Sequence, residues 1–342
     1  MDFVTLDDDD FTYGAADVVV DGVRRVIAEN PSKFTYRGTG TYIIGSGDVA
    51  VIDPGPLLDA HRDALLDALE GQRVRAILVT HCHADHSPLA AWLKEQTGAP
   101  TIAFGPHGAA TEEWDIGSLP EDFGRPDPDD EEQRQEADGG RERDAEQGGT
   151  DADEPKMEES TDVDFVPDEV VVTGDEVFSF GRLRMRAIHT PGHTSNHTCF
   201  TLDDGETRSI FTGDHVMGWS TTVVSPPDGD MNAYIESLRL VAGRNDHVAL
   251  PTHGAPVPDP SDFVRQLVEH RLDRERQVLE AVRSGLHSIP AMVTDLYAAV
   301  RTELHRPAGH SVLGHLVKLV ADGRVEADGG GRPRLDATYR AI

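Results

Sequence analysis

The sequence predicts a layered α+β protein with a small helical unit near its C-terminal end. Strand-like runs alternate with helical stretches in the first half, strand-like runs follow one another after residue 165, and a helical pattern begins after Pro260. With 342 residues, at roughly 150 per domain, the chain is long enough for two domains. We therefore expect a first domain over 1–260, a helical connector over 261–285 and a second domain over 286–342.

In the first half of the chain, the sequence predicts strands first and then helices that alternate with strands. Residues 17–26 read as a strand, and residues 41–52 read as a hairpin around a Gly-Ser-Gly-Asp turn. Leucines at helical spacing then predict a helix, and a short apolar run predicts a buried strand after it. A second helix followed by a second strand is predicted next. In chain order, these later elements are expected at 57–70, 74–79, 89–96 and 101–104.

The second half predicts a run of strands followed by helices. The strand-like segments lie at 169–172, 177–180, 183–187, 197–202 and 209–211. Residues 261–284 carry charges on one helical face and apolar residues on another, which predicts an amphipathic helix. Two further helices at 290–300 and 310–322 precede a hairpin formed by 324–328 and 333–339. Two helices and a glycine-tipped hairpin in this order predict a winged-helix unit.

Residues 121–165 form an acidic insert with 19 acidic and 5 basic residues and very few apolar ones. A segment of this composition cannot bury enough apolar surface to fold, so we expect it to be disordered. It is either a plain solvated loop or a solvating or autoinhibitory tail near the active site.

The charge of the chain argues against broad electrostatic binding to nucleic acids or anionic membranes. Asp and Glu number 62 against 31 Lys and Arg, which gives a formal net charge of −31, and such a field repels phosphate groups. No run of 18 apolar residues and no signal-peptide pattern is visible. The two cysteines are too few for a disulfide framework. We therefore expect a soluble, cytoplasmic protein without a membrane partner.

A dense group of potential metal ligands follows a predicted buried strand. The six residues from His81 to His86, HCHADH, contain three imidazoles and one carboxylate. These groups suit borderline cations such as zinc, and placing four donors on one short loop lowers the ordering cost of a site. Three further donors, His193 in PGHTSNH, Asp214 in FTGDH and His253 in PTHG, lie where other predicted strands end or loops begin. Together, these residues predict a metal site.

This ordered set of residues resembles the metallo-β-lactamase superfamily over about Val18 to Pro258. The segments RGTGTYIIG, PGHTSNH, GWSTTVVSPPDGDM and EHRLDRE, the last leading into the winged-helix unit, resemble its lactamase-β-like subgroup. The resemblance implies a four-layer αβ/βα sandwich with metals at one edge, followed by a small winged-helix domain. The acidic insert is the main departure from the family pattern, and it concerns substrate access more than metal binding.

The resemblance also implies two metal ions, expected to be Zn²⁺ with Mn²⁺ or Fe as alternatives. Three histidines would hold the first ion, one aspartate and two histidines the second, and another aspartate would bridge both. In that order, the residues are His81, His83 and His193, then Asp85, His86 and His253, then Asp214. Asp53 in VIDPG resembles a family aspartate that supports the metal loop, and an ordinary Asp-Pro-Gly turn is the alternative.

Residues near these motifs are candidates for catalysis and substrate binding. Asp85 is expected to orient the attacking hydroxide as well as to bind metal. His215 and His197 are candidates for proton transfer beside the site, with a packing role as the alternative. Cys82 lies between two ligands, and we expect it to pack away from the metals. The candidate substrate wall, for which a rigid crossover is the alternative, consists of Trp219, Thr221 and Thr222.

A two-metal site predicts a hydrolase, because paired cations generate a hydroxide near neutral pH. A small-molecule ester or thioester is the favoured substrate, and the alternative is single-stranded RNA, cleaved by a lactamase-β-like endonuclease. From Leu286 onward, 7 basic residues face 6 acidic ones, which is a weak RNA-binding signal. The winged-helix tail could instead cap the metal cleft or form a homodimer surface. A metal-responsive DNA-binding regulator is a further alternative, although the tail lacks an obvious basic recognition helix.

Overall fold

A computed structural model of the chain describes residues 2–108, 114–125 and 161–342. The predicted acidic insert lies outside these residues except at its two ends. At its C-terminal end the prediction extends too far, because Phe165 is 7% exposed and belongs to a hydrophobic core. Acidic composition continues through Asp164 although the chain has already returned to the folded domain.

The described residues form two compact units, each with its own hydrophobic core. The first unit is drawn from Met1–Trp114 and Glu159–Arg274, and the second from Asp115–Glu158 and Glu275–Ile342.

The first unit begins with a seven-stranded sheet and two helices. Their bounds are β1 Ala16–Val20, β2 Val23–Ile27, β3 Gly40–Ser46, β4 Asp48–Ile52, α1 Asp59–Ala68, β5 Arg73–Leu78, α2 Leu89–Thr97, β6 Thr101–Ala103 and β7 Glu169–Val170. The strands lie in chain order across the sheet. Strands β1 to β4 pair as an antiparallel meander, and β4 to β7 pair in parallel.

A six-stranded sheet, one helix and the first part of a longer helix, up to Arg274, complete this unit. Their bounds are β8 Glu176–Phe180, β9 Leu183–His189, β10 Thr198–Asp203, β11 Arg208–Gly213, α3 Met231–Ala242, β12 Val248–Pro251, β13 Val257–Pro258 and α4 Pro260–Arg283. The order across the sheet is β13-β12-β11-β10-β9-β8. Its pairs are antiparallel except β11 with β12, which run parallel.

Three apolar clusters hold these layers together. Tyr42 and Leu78 of the first sheet share a cluster with Phe200 and Phe211 of the second, so the sheets pack face to face. Helices α1 and α2 pack against the other face of the first sheet through residues such as Leu65. Helices α3 and α4 cover the second sheet. The predicted αβ/βα order of four layers is confirmed.

Some elements differ from the sequence predictions. The strand predicted at 17–26 is the hairpin β1–β2, which turns at Gly22 with φ +73°. Helix α3 was not predicted, although Asp230 caps it by accepting a hydrogen bond from the Ala233 amide. Its buried residues recur at helical spacing: Met231, Tyr234, Ile235, Leu238 and Val241.

The second unit contains two helices and a hairpin in the predicted order, after the last residues of α4 from Glu275 onward, but the second strand of the hairpin begins six residues later than predicted. Their bounds are α5 Ile289–Leu296, α6 His305–Ala321, β14 Val325–Ala327 and β15 Tyr339–Ala341, with a short 3₁₀ helix at Thr302–Leu304. Residues 115–125 also belong here, and Leu119 lies in the core of this unit, although the sequence analysis placed 115–120 in the first domain and 121–125 in the acidic insert. The proposed boundaries at 260 and 285 remain predictions. Within the described part of the chain, no helix is both long and apolar enough to span a bilayer.

Candidate metal centre

The predicted ligands lie in loops that leave one edge of the two sheets. The HCHADH loop follows β5, and His193 lies between β9 and β10. Asp214 follows β11, and His253 follows β12. The fold therefore brings together residues that are up to 172 positions apart in the chain.

Four of these side chains form a first cluster, in which all ligand atoms lie within 4.8 Å of one another. Nδ1 of His83 lies 2.8 Å from Nε2 of His81 and 3.1 Å from Nε2 of His193. Oδ2 of Asp214 lies 3.8 Å from Nε2 of His193. Three ring nitrogens and one carboxylate oxygen thus converge on one point.

The other three side chains form a second cluster, also within 4.8 Å. Oδ2 of Asp85 lies 3.2 Å from Nε2 of His253 and 3.4 Å from Nε2 of His86. Oδ1 of Asp214 lies 3.3 Å from Nε2 of His253 and 3.6 Å from Nε2 of His86. Asp214 therefore turns one oxygen toward each cluster.

Hydrogen bonds behind the first cluster orient its imidazole rings. Nδ1 of His193 donates to the Val223 carbonyl at 2.7 Å, which fixes the ring with Nε2 facing the cluster. Nδ1 of His81 lies 3.0 Å from the Thr80 hydroxyl. That hydroxyl donates its proton to Asp53 at 2.8 Å, so it accepts from His81 and leaves Nε2 of His81 facing the cluster as well.

Asp53 contacts the loop from behind, and its predicted support of the metal ligands stays a prediction. Its fully buried carboxylate accepts hydrogen bonds from the Thr80 amide at 2.8 Å and from the Thr252 hydroxyl at 3.1 Å. It also lies 2.9 Å from Nδ1 of His86. The Asp53 carboxylate, at the end of β4, therefore contacts Thr80 and Thr252, which precede His81 and His253, and it also contacts His86.

The electrostatics of the two clusters differ. Burial lowers the pKa of His81 and His83 well below the usual range, so these rings are neutral. Burial would also lower the pKa of His253, but the Asp214 and Asp85 carboxylates outweigh it and raise this pKa to about 10. The first cluster thus offers the neutral nitrogens of His81 and His83, whereas carboxylates dominate the second.

The chemistry of these donors fits divalent cations. The single ring proton of a neutral His83 could satisfy only one of its two close nitrogen neighbours. Nε2 of His86 and Oδ1 of Asp214 are buried and have no hydrogen-bond partner among the described residues. A cation in each cluster would satisfy these groups, and imidazole and carboxylate are the donors that zinc accepts.

Residues 36–253, more than half of the chain, match the family model for the metallo-beta-lactamase superfamily. The chain belongs to this superfamily. Residues 288–332 match the beta-lactamase associated winged helix domain, which agrees with the second unit.

Relatives of similar length support the same classification. The chain is 28% identical to an atrochrysone carboxyl ACP thioesterase of Aspergillus chevalieri, over 90% of this chain and 84% of that protein. It is also 28% identical to the beta-lactamase-like protein 2 homolog of Drosophila melanogaster, over 89% of each. The protein is a hydrolase of the metallo-β-lactamase superfamily.

Solved structures agree with the fold. A metallo-beta-lactamase family protein from Thermus thermophilus aligns with a TM-score of 0.66 at 20% identity, covering 95% of this chain and 100% of that one. A beta-lactamase domain protein from Burkholderia ambifaria aligns with a TM-score of 0.68 at 20% identity, covering 96% and 94%.

The two histidines predicted beside the superfamily's ligand set are fully buried. Nε2 of His197 accepts from the Asp214 amide at 3.3 Å, and its Nδ1 donates to the Thr190 hydroxyl at 2.9 Å, so this ring supports the backbone of Asp214. His215 packs edge-on to the Tyr234 ring at 5.1 Å, and burial lowers its pKa to about 3. This placement does not suit the predicted proton transfer by His215, because the ring is neutral and sealed from solvent.

The predicted substrate wall is packed more tightly than expected. Trp219 stacks on Tyr36, with ring centroids 4.7 Å apart, and its ring also lies so close to Gly254 that a Cβ there would contact it. Thr222 is 3% exposed, and its hydroxyl donates to the Asp214 carbonyl at 2.6 Å. Thr221 is half-buried. This geometry favours the rigid-crossover alternative for Trp219 and Thr222, and it leaves substrate contact by Thr221 as a prediction.

Sequence reasoning missed the hydroxyl groups that support the ligands. Thr80 and Thr252 directly precede His81 and His253, and both donate to Asp53. Thr39 donates to Oδ2 of Asp85 at 3.0 Å. The repeated Thr-His pair in VTHCH and PTHG was the available signal, since a hydroxyl next to a ligand can orient the ligand's supporting groups. Cys82 is buried and points into the core, as expected.

Proposed function

We propose that this protein is a two-metal, zinc-dependent hydrolase that acts on thioesters or related small esters. The observation that carries the proposal is the position of Asp214, whose two oxygens face two separate groups of donors. Such a carboxylate suits a bridge between two cations. The first would be held by His81, His83 and His193, and the second by Asp85, His86 and His253.

Two bound divalent cations would lower the pKa of a shared water molecule and polarise the bond to be broken. Asp85 is the carboxylate that the attacking water can reach, because its side chain is 24% exposed and that of Asp214 is 10% exposed. Thr39 donates to one oxygen of Asp85 and fixes its orientation. We assign to Asp85 the orientation of the water and the acceptance of its proton.

The substrate class rests on the relatives and on charge. A relative that is 28% identical over most of both chains is named as an acyl carrier protein thioesterase. The net charge of −31 disfavours a polyanionic RNA substrate. A small thioester carries little or no such charge, and we therefore favour it.

The proposal is tested by metal analysis combined with a substrate panel. The purified protein is assayed for zinc content and for turnover of an uncharged acyl-N-acetylcysteamine thioester, a nitrophenyl ester, a phosphodiester and single-stranded RNA. We expect about two zinc ions per chain and thioester turnover that a chelator abolishes. RNA cleavage without thioester turnover would overturn the substrate class, and turnover that survives complete metal removal would overturn the whole proposal.

Replacing Asp85 by Asn should lower kcat at least about 100-fold, because the amide cannot accept the proton of the attacking water. The first cluster should still bind zinc, and the circular dichroism spectrum should be unchanged. Asp59→Asn is the matched control, since the Asp59 side chain is 95% exposed, and it should turn over like the wild type. Wild-type turnover by Asp85→Asn with bound metal would exclude this role.

A further inference from the structure

We propose that Asp162 is a positioning residue that holds the HCHADH loop in its metal-binding conformation. The inference rests on the proposed metal function. It concerns the segment 161–165, which follows the acidic stretch in the sequence and leads into β7.

The segment pairs directly with the loop that carries four of the seven ligands. Thr161 forms an antiparallel bridge with His83. The Asp162 amide donates to the Cys82 carbonyl at 2.8 Å, and Oδ2 of Asp162 accepts from the Ser87 hydroxyl at 2.8 Å. Asp162 therefore contacts the loop at both ends, and His83, Asp85 and His86 lie between these contacts.

Both ends of this arrangement are anchored. Ser87 is 1% exposed, and Phe165 is part of the apolar cluster between the first sheet and its helices. Because the loop and the segment each join the packed core, the two hydrogen bonds of Asp162 restrict how far the loop can move. Breaking them would leave the ligands attached but less well arranged before a cation binds.

Asp162 acts on a different part of the loop from Asp53. Asp53 contacts the Thr80 amide at the start of the loop and the ring of His86. Asp162 contacts the backbone at Cys82 and the hydroxyl of Ser87. The loop is thus held by two carboxylates, and only the first of them touches a ligand ring. Prearranged ligands lose less conformational freedom on binding, which raises metal affinity.

The test is the zinc affinity of the full-length protein, measured by competition with a chromophoric chelator and therefore independent of turnover. Asp162→Ala should weaken zinc binding about 10-fold, the lower end of the effect of losing a group that orients ligands. Asp162→Asn should bind zinc nearly as the wild type does, since its amide oxygen still accepts from Ser87. Asp164→Ala is the matched control, because Asp164 is exposed two positions away, and its affinity should be unchanged.

A second variant separates positioning from general destabilisation. Ser87→Ala removes the donor and should weaken zinc binding to a similar extent, and the double variant with Asp162→Ala should be no weaker than either alone. Thermal unfolding of the zinc-free proteins reports any loss of stability separately. Should Asp162→Ala fail to fold, Ser87→Ala and Asp162→Asn still decide the question.

The possible outcomes distinguish this inference from the proposed function. If the wild type binds two zinc ions and both alanine variants bind them equally tightly, the role of Asp162 is excluded and the metal function stands. Additive losses in the double variant would also exclude the direct Asp162–Ser87 link. If the wild type binds no zinc, both the inference and the proposed function are wrong.

Discussion

Both units of the protein bury charged side chains, but they pair them differently. In the first unit, Oδ1 of Asp214 faces imidazole rings, 3.3 Å from Nε2 of His253 and 3.6 Å from Nε2 of His86. In the second unit, buried Glu275 lies 3.0 Å from Arg324 and 3.2 Å from Lys318. An imidazole can lose its proton and bind a divalent cation in its place, whereas Arg and Lys carry their charge at neutral pH and pair with the glutamate within the fold itself. The nature of the partners therefore distinguishes the candidate metal site of the first unit from the structural ion pairs of the second.

The largest expected effect comes from removing the shared carboxylate of the first unit. Asp214→Asn should lower kcat/KM for a thioester about 1,000-fold, because several kcal/mol of charge stabilisation is lost and each 1.4 kcal/mol is a factor of ten. Zinc content should fall below two per chain. Steady-state kinetics and metal analysis check both results, and full activity with two bound ions would show that Asp214 does not bridge them.

The second unit should respond to a charge deletion by losing stability. Glu275→Ala should lower the free energy of unfolding by about 3 kcal/mol, the low end for a broken buried pair, since Arg324 is partly exposed. Denaturant unfolding measures the change. The control is Glu280→Ala on the same helix, where the Glu280 side chain is 73% exposed and the cost should stay below about 1 kcal/mol. Equal losses in the two variants would contradict a structural role specific to Glu275.

Zinc should stabilise the first unit and leave the second unchanged. Free zinc at 100 times its dissociation constant should raise the free energy of unfolding of the first unit by about 2.7 kcal/mol, because the ion binds only the folded site. Hydrogen exchange should slow in the loop from His81 to His86, while helix α6 should exchange as before. The Asp214→Asn variant should show less protection, and equal protection in both units would argue against a localised site.

A smaller effect concerns His61, which is buried in the first unit without being a candidate ligand. Burial lowers its pKa to about 4, and its Nε2 lies 2.9 Å from the Thr41 hydroxyl. In the unfolded chain His61 takes up a proton near pH 6.5, whereas the buried ring does so only near pH 4. The stability that the neutral His61 contributes is therefore fully present above pH 6.5 and is lost as the pH falls toward 4.

Between pH 7 and pH 5 the loss attributable to His61 should be about 2 kcal/mol. Denaturant unfolding at several pH values measures it, and His61→Gln should flatten this part of the profile. The difference in slope between the wild type and His61→Gln should be the same with and without zinc, because His61 is not one of the candidate ligands, whose own protonation competes with metal binding. An unchanged slope in His61→Gln would assign the pH dependence to other buried histidines.

Local patterns were sufficient to predict most of the fold. Alternating and helical periodicities marked β3 and β4, α2, α4 and the hairpin of the second unit, because these signals depend only on nearby residues. Helix α3 was not predicted although its cap at Asp230 and its helical spacing of apolar residues are present in the sequence. The end of the acidic insert was misplaced because composition cannot show that a single Phe165 enters a core.

The types of candidate ligand and their order could be read from local motifs, since HCHADH places four donors on one loop and PGH, GDH and THG mark the remaining three. How these donors meet follows from the folded arrangement alone. The packing of two sheets set the distances between remote loops, the direction in which each oxygen of Asp214 points and the burial of His215. It also brought Asp162 to Ser87, 75 positions away. These relations depend on contacts between distant parts of the chain, which local spacing does not encode.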